Sequence, residues 1–493
     1  MSSRLRPLSR LTSTFCATST RSPHYQIRTF TACSRWHTDG VYRELTAMRT
    51  RVPFIEAFRK QNEGATTSPT STSKIARDLS PKSMSDSHTS IILPLARDPW
   101  LLDSYINSSG HIRLGTIFMD LDALAGIIAY KHTGDSVMTV TAAVDRITLK
   151  HPLSEICDLQ LSGQVTFATG RSSMEVSIQV AKAPEEGKKV QENDILMTCA
   201  FTMVSLDPAT KKPVNISPLK ASTPEEEAIF AHGEANYNLK KSMQSQALRK
   251  QTPNDEESDL IHALWLAQLD FHNPNTPARK PSSALYMRST QIRTPIPSPL
   301  QNSVPFILLF SNLMIYSTQI MQPQYRNRHN FMIFGGFLLK TTFELAFTCA
   351  SSISHTRPTF IALDPSTFLH PVPVGSVLYL TATVAYSDSP LPSLSKFANP
   401  NSNSTFSDPK ASPEGSSRIQ IRVDSKVRSI EGGETKPTGT FNYTFQVGRE
   451  LQVVPETYGE FMMFLDARRR GLVVNRTFGV KGEGEKEVGG VME

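Results

Sequence analysis

One pattern occurs twice in this chain, and the repetition constrains the fold more than any other feature. Each copy has a glycine before an apolar helix, an acidic residue in that helix (Asp122 or Glu344), and then a segment reading Asp, five residues, His, Pro. The glycine-to-Asp separation is 30 residues in the first copy (115 to 145) and 28 in the second (336 to 364). Repetition at nearly constant spacing indicates an internal duplication of one small domain.

Strand-like segments follow each His-Pro pair in the same order. They are 159–167, 174–180 and 195–204 in the first copy, and 377–386, 419–427 and 438–447 in the second. We therefore predict an α+β fold in which each copy combines one helix with several antiparallel strands. The predicted divisions are a first repeat at 90–218, a helical connector at 219–281, a second repeat at 282–448 with a disordered insertion at 389–417, and a C-terminal helix and tail at 449–493.

The net charge of +7 comes almost entirely from the N-terminus. Residues 1–38 contain six Arg and no Lys, Asp or Glu, so they account for six of the seven charges. The rest of the chain is near neutral, which argues against a nucleic-acid partner. An acid-free start rich in Arg, Ser and Thr is typical of a mitochondrial presequence, so we predict import into the matrix. A basic helix and a disordered linker are predicted for 39–89.

The segment 304–320 is strongly apolar but does not read as a membrane span. It contains Pro305, Ser311 and Asn312 and is shorter than the stretch of about 20 residues that a spanning helix needs. We predict no transmembrane span and regard the region 294–320 as an insertion, either genuine or an artefact of the gene model. The sequence contains no Cys or His spacing typical of a metal site, and we predict neither a metal nor a cofactor.

The two central helices carry the candidate chemistry. They are predicted over 116–131 and 337–350, and both are apolar almost all round, which predicts burial on every side. The carboxylates of Asp122 and Glu344 are costly there unless they are paired or protonated. A capping role or an ion pair would explain either acid alone, but the same placement in both copies indicates a site. Gly115, Gly335 and Gly336 lie at the helix starts, where the absent Cβ exposes N–H groups that suit an oxyanion.

Several short motifs together resemble those of one family, the mitochondrial acyl-coenzyme A thioesterases of the thioesterase 9 type, over about residues 90–470. The motifs are RLG at 113–115, DLD at 120–122, GRSSMEV at 170–176, PEEE at 224–227, PQ at 323–324, RN at 326–327, FGG at 334–336, ELA at 344–346 and TYGE at 457–460. The resemblance implies a tandem (double) hotdog, in which each repeat is an antiparallel sheet wrapped around a central apolar helix. It also implies hydrolysis of fatty acyl-CoA to free fatty acid and coenzyme A, and a trimer of double hotdogs.

The resemblance also assigns site residues. In this family an Asp from one central helix works with an Asn from the loop before the other helix. Matched residue by residue, these positions are Asp122 and Asn327, with Asn330 as a competitor because the loop is one residue longer than the family pattern. A mirrored site would use Glu344 with Asn107, a poorer match, and we expect one site to be competent and the other degenerate.

Two chemical routes fit these residues. In both, the N–H groups near Gly335 and Gly336 hold the thioester oxygen. Asp122 acts either as general base on a water or as a nucleophile through a mixed anhydride. Arg171 and Ser172 are candidates for contact with the phosphates of coenzyme A.

Two other functions remain open at this point. An enoyl-thioester hydratase or dehydratase shares the hotdog core and would require a His near the acid, for which His111 and His329 are candidates. A catalytically inactive acyl-CoA-binding or scaffold protein is the other alternative, since duplicated folds often lose a site. A serine esterase is not expected.

Overall fold

The computed structural model describes residues 78–151, 155–185, 188, 190–245, 248, 250–272, 284–286, 319–329, 331–388 and 415–478, together with 45, 54–57 and 59. The presequence, most of the linker, the apolar segment 304–318 and the insertion up to 414 lie outside these residues. The helices are α1 (Met84–Ser87), α2 (Pro99–Leu102), α3 (Leu114–Thr133), α4 (Pro224–Ser245), α5 (Asp255–His272), α6 (Gly335–Ser354) and α7 (Tyr458–Phe478). Short 3₁₀ helices span Glu192–Asp194 and Pro323–Tyr325.

The strands include the six that the repeat predicts and others that it does not. They are β1 (Lys82–Ser83), β2 (Thr89–Leu93), β3 (Met138–Leu149), β4 (Leu159–Ala168), β5 (Ser173–Lys182), β6 (Ile195–Leu206), β7 (Leu219–Lys220), β8 (Ala284–Tyr286), β9 (Gln319–Ile320), β10 (Thr359–Leu363), β11 (Ser366–Thr367), β12 (Val377–Ser387), β13 (Ser417–Arg428), β14 (Thr435–Val447) and β15 (Gln452–Val454). The three long strands predicted after each His-Pro pair correspond to β4, β5 and β6 and to β12, β13 and β14.

One antiparallel sheet runs through both halves of the chain. Among the described residues its order is β2-β4-β5-β6-β3 in the first half and β10-β14-β13-β12-β9 in the second. The halves join where β3 pairs with β10 and β11, with Thr148 opposite Ala362 and Val144 opposite Ser366. Each strand of one half has a counterpart in the other, from β2 and β9 at the outer edges inward. The duplication and the α+β class are therefore confirmed.

The two central helices pack against each other inside this sheet. Leu121 and Leu124 of α3 and Leu339 of α6 are fully buried, and the rings of Phe118 and Phe343 meet edge to face at 5.0 Å. Burial of one such side chain stabilises the fold by about 1.5–3 kcal/mol. A helix covered on all sides has no need of a polar face, which explains why both helices are apolar all round. The chain is a double hotdog.

Each half also closes with an equivalent helix. α4 and α7 begin with the same N-cap contact: the hydroxyl of Thr223 accepts the N–H of Glu226 at 3.2 Å, and that of Thr457 accepts the N–H of Glu460 at 3.3 Å. Four residues after each Glu, an aromatic ring packs on the corresponding strand of the sheet. Phe230 lies 4.9 Å from Phe167 of β4, and Phe464 lies 5.0 Å from Tyr386 of β12. The predicted connector thus contains, in α4, the first-half counterpart of α7.

The repeated strand Asp residues serve this helix docking. Asp145 lies 2.9 Å from the Nζ of Lys240 on α4, and Asp364 lies 3.7 Å from the Nε of Arg470 on α7. Both carboxylates are buried, and burial raises the pKa of each while the neighbouring cation lowers it. The repeated Asp therefore marks the contact between sheet and closing helix. In the part of the chain that the structure describes, no helix is both long and apolar enough to cross a bilayer.

Candidate active site

Asp122 lies where the two central helices meet. Its position on α3 places the carboxylate at the first turn of α6, and only 2% of the residue is exposed. The Gly336 N–H donates to Oδ2 at 2.6 Å, and the Thr141 hydroxyl donates to Oδ1 at 2.7 Å. Both hydrogen bonds and the positive end of the α6 dipole stabilise a negative carboxylate, which offsets the cost of its burial.

The glycine pair makes this approach possible. A Cβ on Gly335 would lie 3.1 Å from Oδ2 of Asp122, and one on Gly336 would lie 2.9 Å from the backbone oxygen of Met119 and closer still to the Phe334 ring. The first role of the two glycines is therefore to admit the acid-bearing helix. Gly336 uses its N–H to hold Asp122, whereas Gly335 lines the adjoining cavity.

Asn327 belongs to the loop that precedes α6. Its backbone N–H donates to the oxygen of Met332 at 2.7 Å, and its Oδ1 accepts the N–H of His329 at 2.9 Å. With Oδ1 engaged in the loop, the side-chain amide of Asn327 has a fixed orientation. Asn330, the competing candidate, lies outside the described residues.

A hydrogen bond across the two halves anchors this loop. The Nε2 of His329 lies 2.9 Å from the hydroxyl of Tyr130, which is eight residues beyond Asp122 on α3. Arg328 stacks over the Tyr130 ring at 4.1 Å and pairs with Asp135 at 2.6 Å. Burial, with the nearby cations, lowers the pKa of His329 to about 4, so the ring is neutral at physiological pH.

These residues line one cavity of about 870 Å³. Asp122, Thr141, Gly335 and Asn327 all contribute to its wall, which is mostly apolar elsewhere. A cavity of this volume with a few convergent polar groups is the usual form of a small-molecule site. The structure thus brings the predicted acid, the predicted amide and one predicted helix-start glycine together.

The mirrored position is organised differently. Glu344 forms an ion pair with Arg113, the residue that precedes the first turn of α3. The Asn107 loop repeats the hydrogen bonds of the Asn327 loop, since Oδ1 of Asn107 accepts the N–H of the residue two positions on, at 2.9 Å. A Cβ on Gly115 would lie 3.4 Å from Glu344. None of these residues lines the cavity at Asp122.

The residues that line the cavity are not all those that the sequence predicts. Arg171 and Ser172 lie in the turn between β4 and β5, outside the wall of the cavity. Thr141 and Tyr130 are not predicted. Tyr130 follows Asp122 at a spacing of eight residues on one helix face, a readable signal, whereas no pattern in the sequence distinguishes Thr141 from other strand threonines.

The chain is similar over most of its length to known thioesterases. It is 31% identical to mouse acyl-coenzyme A thioesterase 9, mitochondrial, over 80% of both chains. It is 32% identical to the human protein of that name, over 79% of this chain and 78% of the relative. A solved structure of an apo-hexameric acyl-CoA thioesterase covers 34% of this chain and 98% of its own, at 25% identity and a TM-score of 0.29.

No protein-family model matches the sequence. The two mammalian relatives nevertheless exceed 30% identity over about four fifths of both chains. On this similarity the chain belongs to the acyl-coenzyme A thioesterase family, of the mitochondrial thioesterase 9 type.

Proposed function

We propose that this protein hydrolyses fatty acyl-CoA to free fatty acid and coenzyme A at the cavity beside Asp122. Membership of the thioesterase family supports the reaction. The observation that carries the site assignment is the Asp122 carboxylate, held by Gly336 and Thr141 at the start of α6 on the wall of a cavity that Asn327 also lines. A carboxylate held in a fixed orientation at a helix N-terminus, where the helix dipole favours its charged form, is a suitable general base.

In the proposed reaction, the thioester oxygen accepts a hydrogen bond from the N–H of Gly335, because Gly336 already binds the base. A water held by Asp122 and the Asn327 amide attacks the carbonyl carbon and loses its proton to Asp122. The C–S bond of the tetrahedral intermediate then breaks, and the thiolate leaves and recovers that proton. The reaction requires no cofactor beyond the coenzyme A that the substrate carries.

The charges around the cavity suit a phosphate-bearing substrate. Lys131, Lys211 and Arg328 line it near the C-terminal end of α3, whereas Asp135 there is paired with Arg328. Lys211 also adopts a left-handed backbone conformation, with φ of 56°, which is uncommon for a residue with a Cβ and is found more often at functional sites. These cations are better placed for phosphates than Arg171.

Location and assembly are also proposals. The names of the mammalian relatives and the acid-free N-terminus support a mitochondrial protein, and a cleavable presequence would place it in the matrix. Association as a trimer of double hotdogs would cover the outer edges of the sheet at β2 and β9. N-terminal sequencing of the mature protein and analytical ultracentrifugation test these two points.

The decisive experiment is thiol release from butyryl-, octanoyl- and palmitoyl-CoA. Asp122→Asn should lower kcat at least a hundredfold and Asn327→Ala by about tenfold or more, since general-base catalysis contributes roughly 10²–10⁴-fold. Glu344→Gln is the matched control and should retain more than half of the activity. Equal loss in Asp122→Asn and Glu344→Gln would contradict the site assignment. Binding of acyl-CoA without turnover by the folded wild type would favour the inactive binder.

The contacts of the two candidate histidines favour hydrolysis over the hydratase alternative. A hydratase histidine would have to reach the substrate beside the acid. The Nε2 of His329 is instead bound to Tyr130, and the Nδ1 of His111 is bound to the backbone oxygen of Ser109 at 2.9 Å. Incubation with a trans-2-enoyl-CoA should therefore yield only hydrolysis, and a hydrated product would overturn this conclusion.

A further inference from the structure

Gly126 has no structural reason to be glycine. It lies in the interior of α3, where glycine destabilises a helix relative to alanine. Its φ is not among the positive values of the chain, and a Cβ built on it would meet no atom within 4 Å. Neither the backbone conformation nor the packing of the protein therefore requires a glycine at position 126.

At two other glycines of the chain, packing does exclude a side chain. A Cβ on Gly163 would lie 2.5 Å from a backbone oxygen, and one on Gly233 would lie 2.7 Å from Phe167. These positions exclude a side chain because another part of the protein occupies the space. At Gly126 the space is part of the cavity, which this residue lines.

Gly126 lies on the same helix face as Asp122, the proposed general base. Asp122, Gly126 and Tyr130 lie four residues apart and so share one face of α3. At 1.5 Å per residue, Gly126 is about 6 Å and Tyr130 about 12 Å beyond the base along the helix axis. A molecule extending from Asp122 toward Tyr130 has to pass over Gly126.

The cavity has a polar and an apolar end, and only the polar end lies beyond Gly126. The C-terminal end of α3 carries Tyr130 and Lys131, and near them lie Lys211, Arg328 and His329. Around the start of α6 the wall, apart from Asp122 and Asn327, is apolar, with the buried side chains Ile333, Phe334, Leu338 and Val372. Amide and phosphate groups suit the first end, and a hydrocarbon chain suits the second.

We propose that Gly126 is a substrate-binding residue, whose missing side chain makes room for the pantetheine arm of coenzyme A while the acyl chain takes the apolar end. This inference rests on the proposed placement of the thioester beside Asp122. A side chain at position 126 would obstruct the thiol half of every substrate equally. It would also obstruct free coenzyme A, which has no acyl chain.

The test compares Gly126→Ala and Gly126→Leu with wild type in the full chain. Calorimetry measures the Kd of free coenzyme A, and thiol release gives kcat/KM for butyryl-, octanoyl- and palmitoyl-CoA. Gly126→Leu should raise the Kd for coenzyme A by about tenfold or more and lower kcat/KM by a similar factor for all three substrates. Gly126→Ala should show a smaller loss, of about threefold, while its unfolding midpoint rises by roughly 1–3 °C because alanine favours the helix.

Gly459→Leu is the control, because Gly459 is a helix glycine whose Cβ would also meet open space but which lies away from the cavity. It should leave coenzyme A binding unchanged. A Kd within about twofold of wild type in folded Gly126→Leu, or a penalty that grows with acyl length, overturns the proposal. If Gly126→Leu does not fold, the proposal is tested by the Kd for coenzyme A and the kcat/KM values of Gly126→Ala. Retained turnover in Asp122→Asn would instead refute the placement of the thioester, independently of Gly126.

Discussion

Glu175 of β5 offers a quantitative test of how the closing helix α4 is held. Only 4% of the residue is exposed, and its Oε2 lies 3.7 Å from the Nζ of Lys240. Lys240 is shared, since it also lies 2.9 Å from Asp145. Burial, followed by repulsion from Asp145, raises the pKa of Glu175 from 4.5 to about 7. One lysine thus serves two buried carboxylates.

The raised pKa of Glu175 determines how the free energy of unfolding changes with pH. The folded protein binds the Glu175 proton more tightly than the unfolded chain, so its free energy of unfolding falls as pH rises from 4.5 toward 7. For these two pKa values, the loss between pH 5 and pH 8 is about 2.5 kcal/mol. Glu175→Gln is neutral at every pH and removes this loss. The variant should match wild type near pH 5 and exceed its stability at pH 8.

Urea unfolding followed by circular dichroism at half-unit steps from pH 5 to pH 8 measures the difference. Glu192→Gln, on the exposed surface, is the control and should leave the pH dependence of wild type unchanged. Parallel stability curves for wild type and Glu175→Gln would refute the reasoning. They would mean that Lys240 neutralises both carboxylates and that Glu175 titrates near its ordinary value.

Three further substitutions test the site and the packing. Thr141→Val removes the hydroxyl that donates to Asp122, and kcat should fall roughly tenfold or more, with the circular dichroism spectrum unchanged. Arg113→Met breaks the ion pair with Glu344 and should lower stability by at most about 1 kcal/mol, because Arg113 is 41% exposed; thiol release should persist. Gly163→Ala places a Cβ 2.5 Å from a backbone oxygen of the neighbouring strand and should cost about 3 kcal/mol in urea unfolding.

The apolar runs in the sequence predicted the two central helices well. The apolar run that predicts a helix over 116–131 lies within α3, Leu114–Thr133, and the run at 337–350 lies within α6, Gly335–Ser354. Both helices extend by two or more residues at each end because helix termini carry less periodic signal than helix interiors. The repeat in turn predicted three strands in the same succession along each half, and these strands are present as β4, β5 and β6 and as β12, β13 and β14.

Contacts between segments that are distant in the sequence could not be predicted in this way. The repeated Asp145 and Asp364 are visible in the sequence, but their purpose depends on Lys240 and Arg470 of helices that dock from outside the sheet. Likewise, the Gly335-Gly336 pair suggests an oxyanion site. The structure shows that one of the two N–H groups is bound to a carboxylate on a helix more than two hundred residues earlier. Spacing along the chain does not specify which partner a polar group meets.

The asymmetry of the two halves follows from the residue that precedes each central helix. Phe334 precedes α6, and Arg113 precedes α3. Beside Phe334, the acid of the opposite helix accepts hydrogen bonds from a backbone N–H and a hydroxyl, and it lines the cavity. Beside Arg113, the acid of the opposite helix forms an ion pair with the guanidinium and does not line that cavity. The duplicated position therefore presents a carboxylate to the cavity in one half and joins the two central helices by an ion pair in the other, which is the asymmetry that the proposed reaction at Asp122 requires.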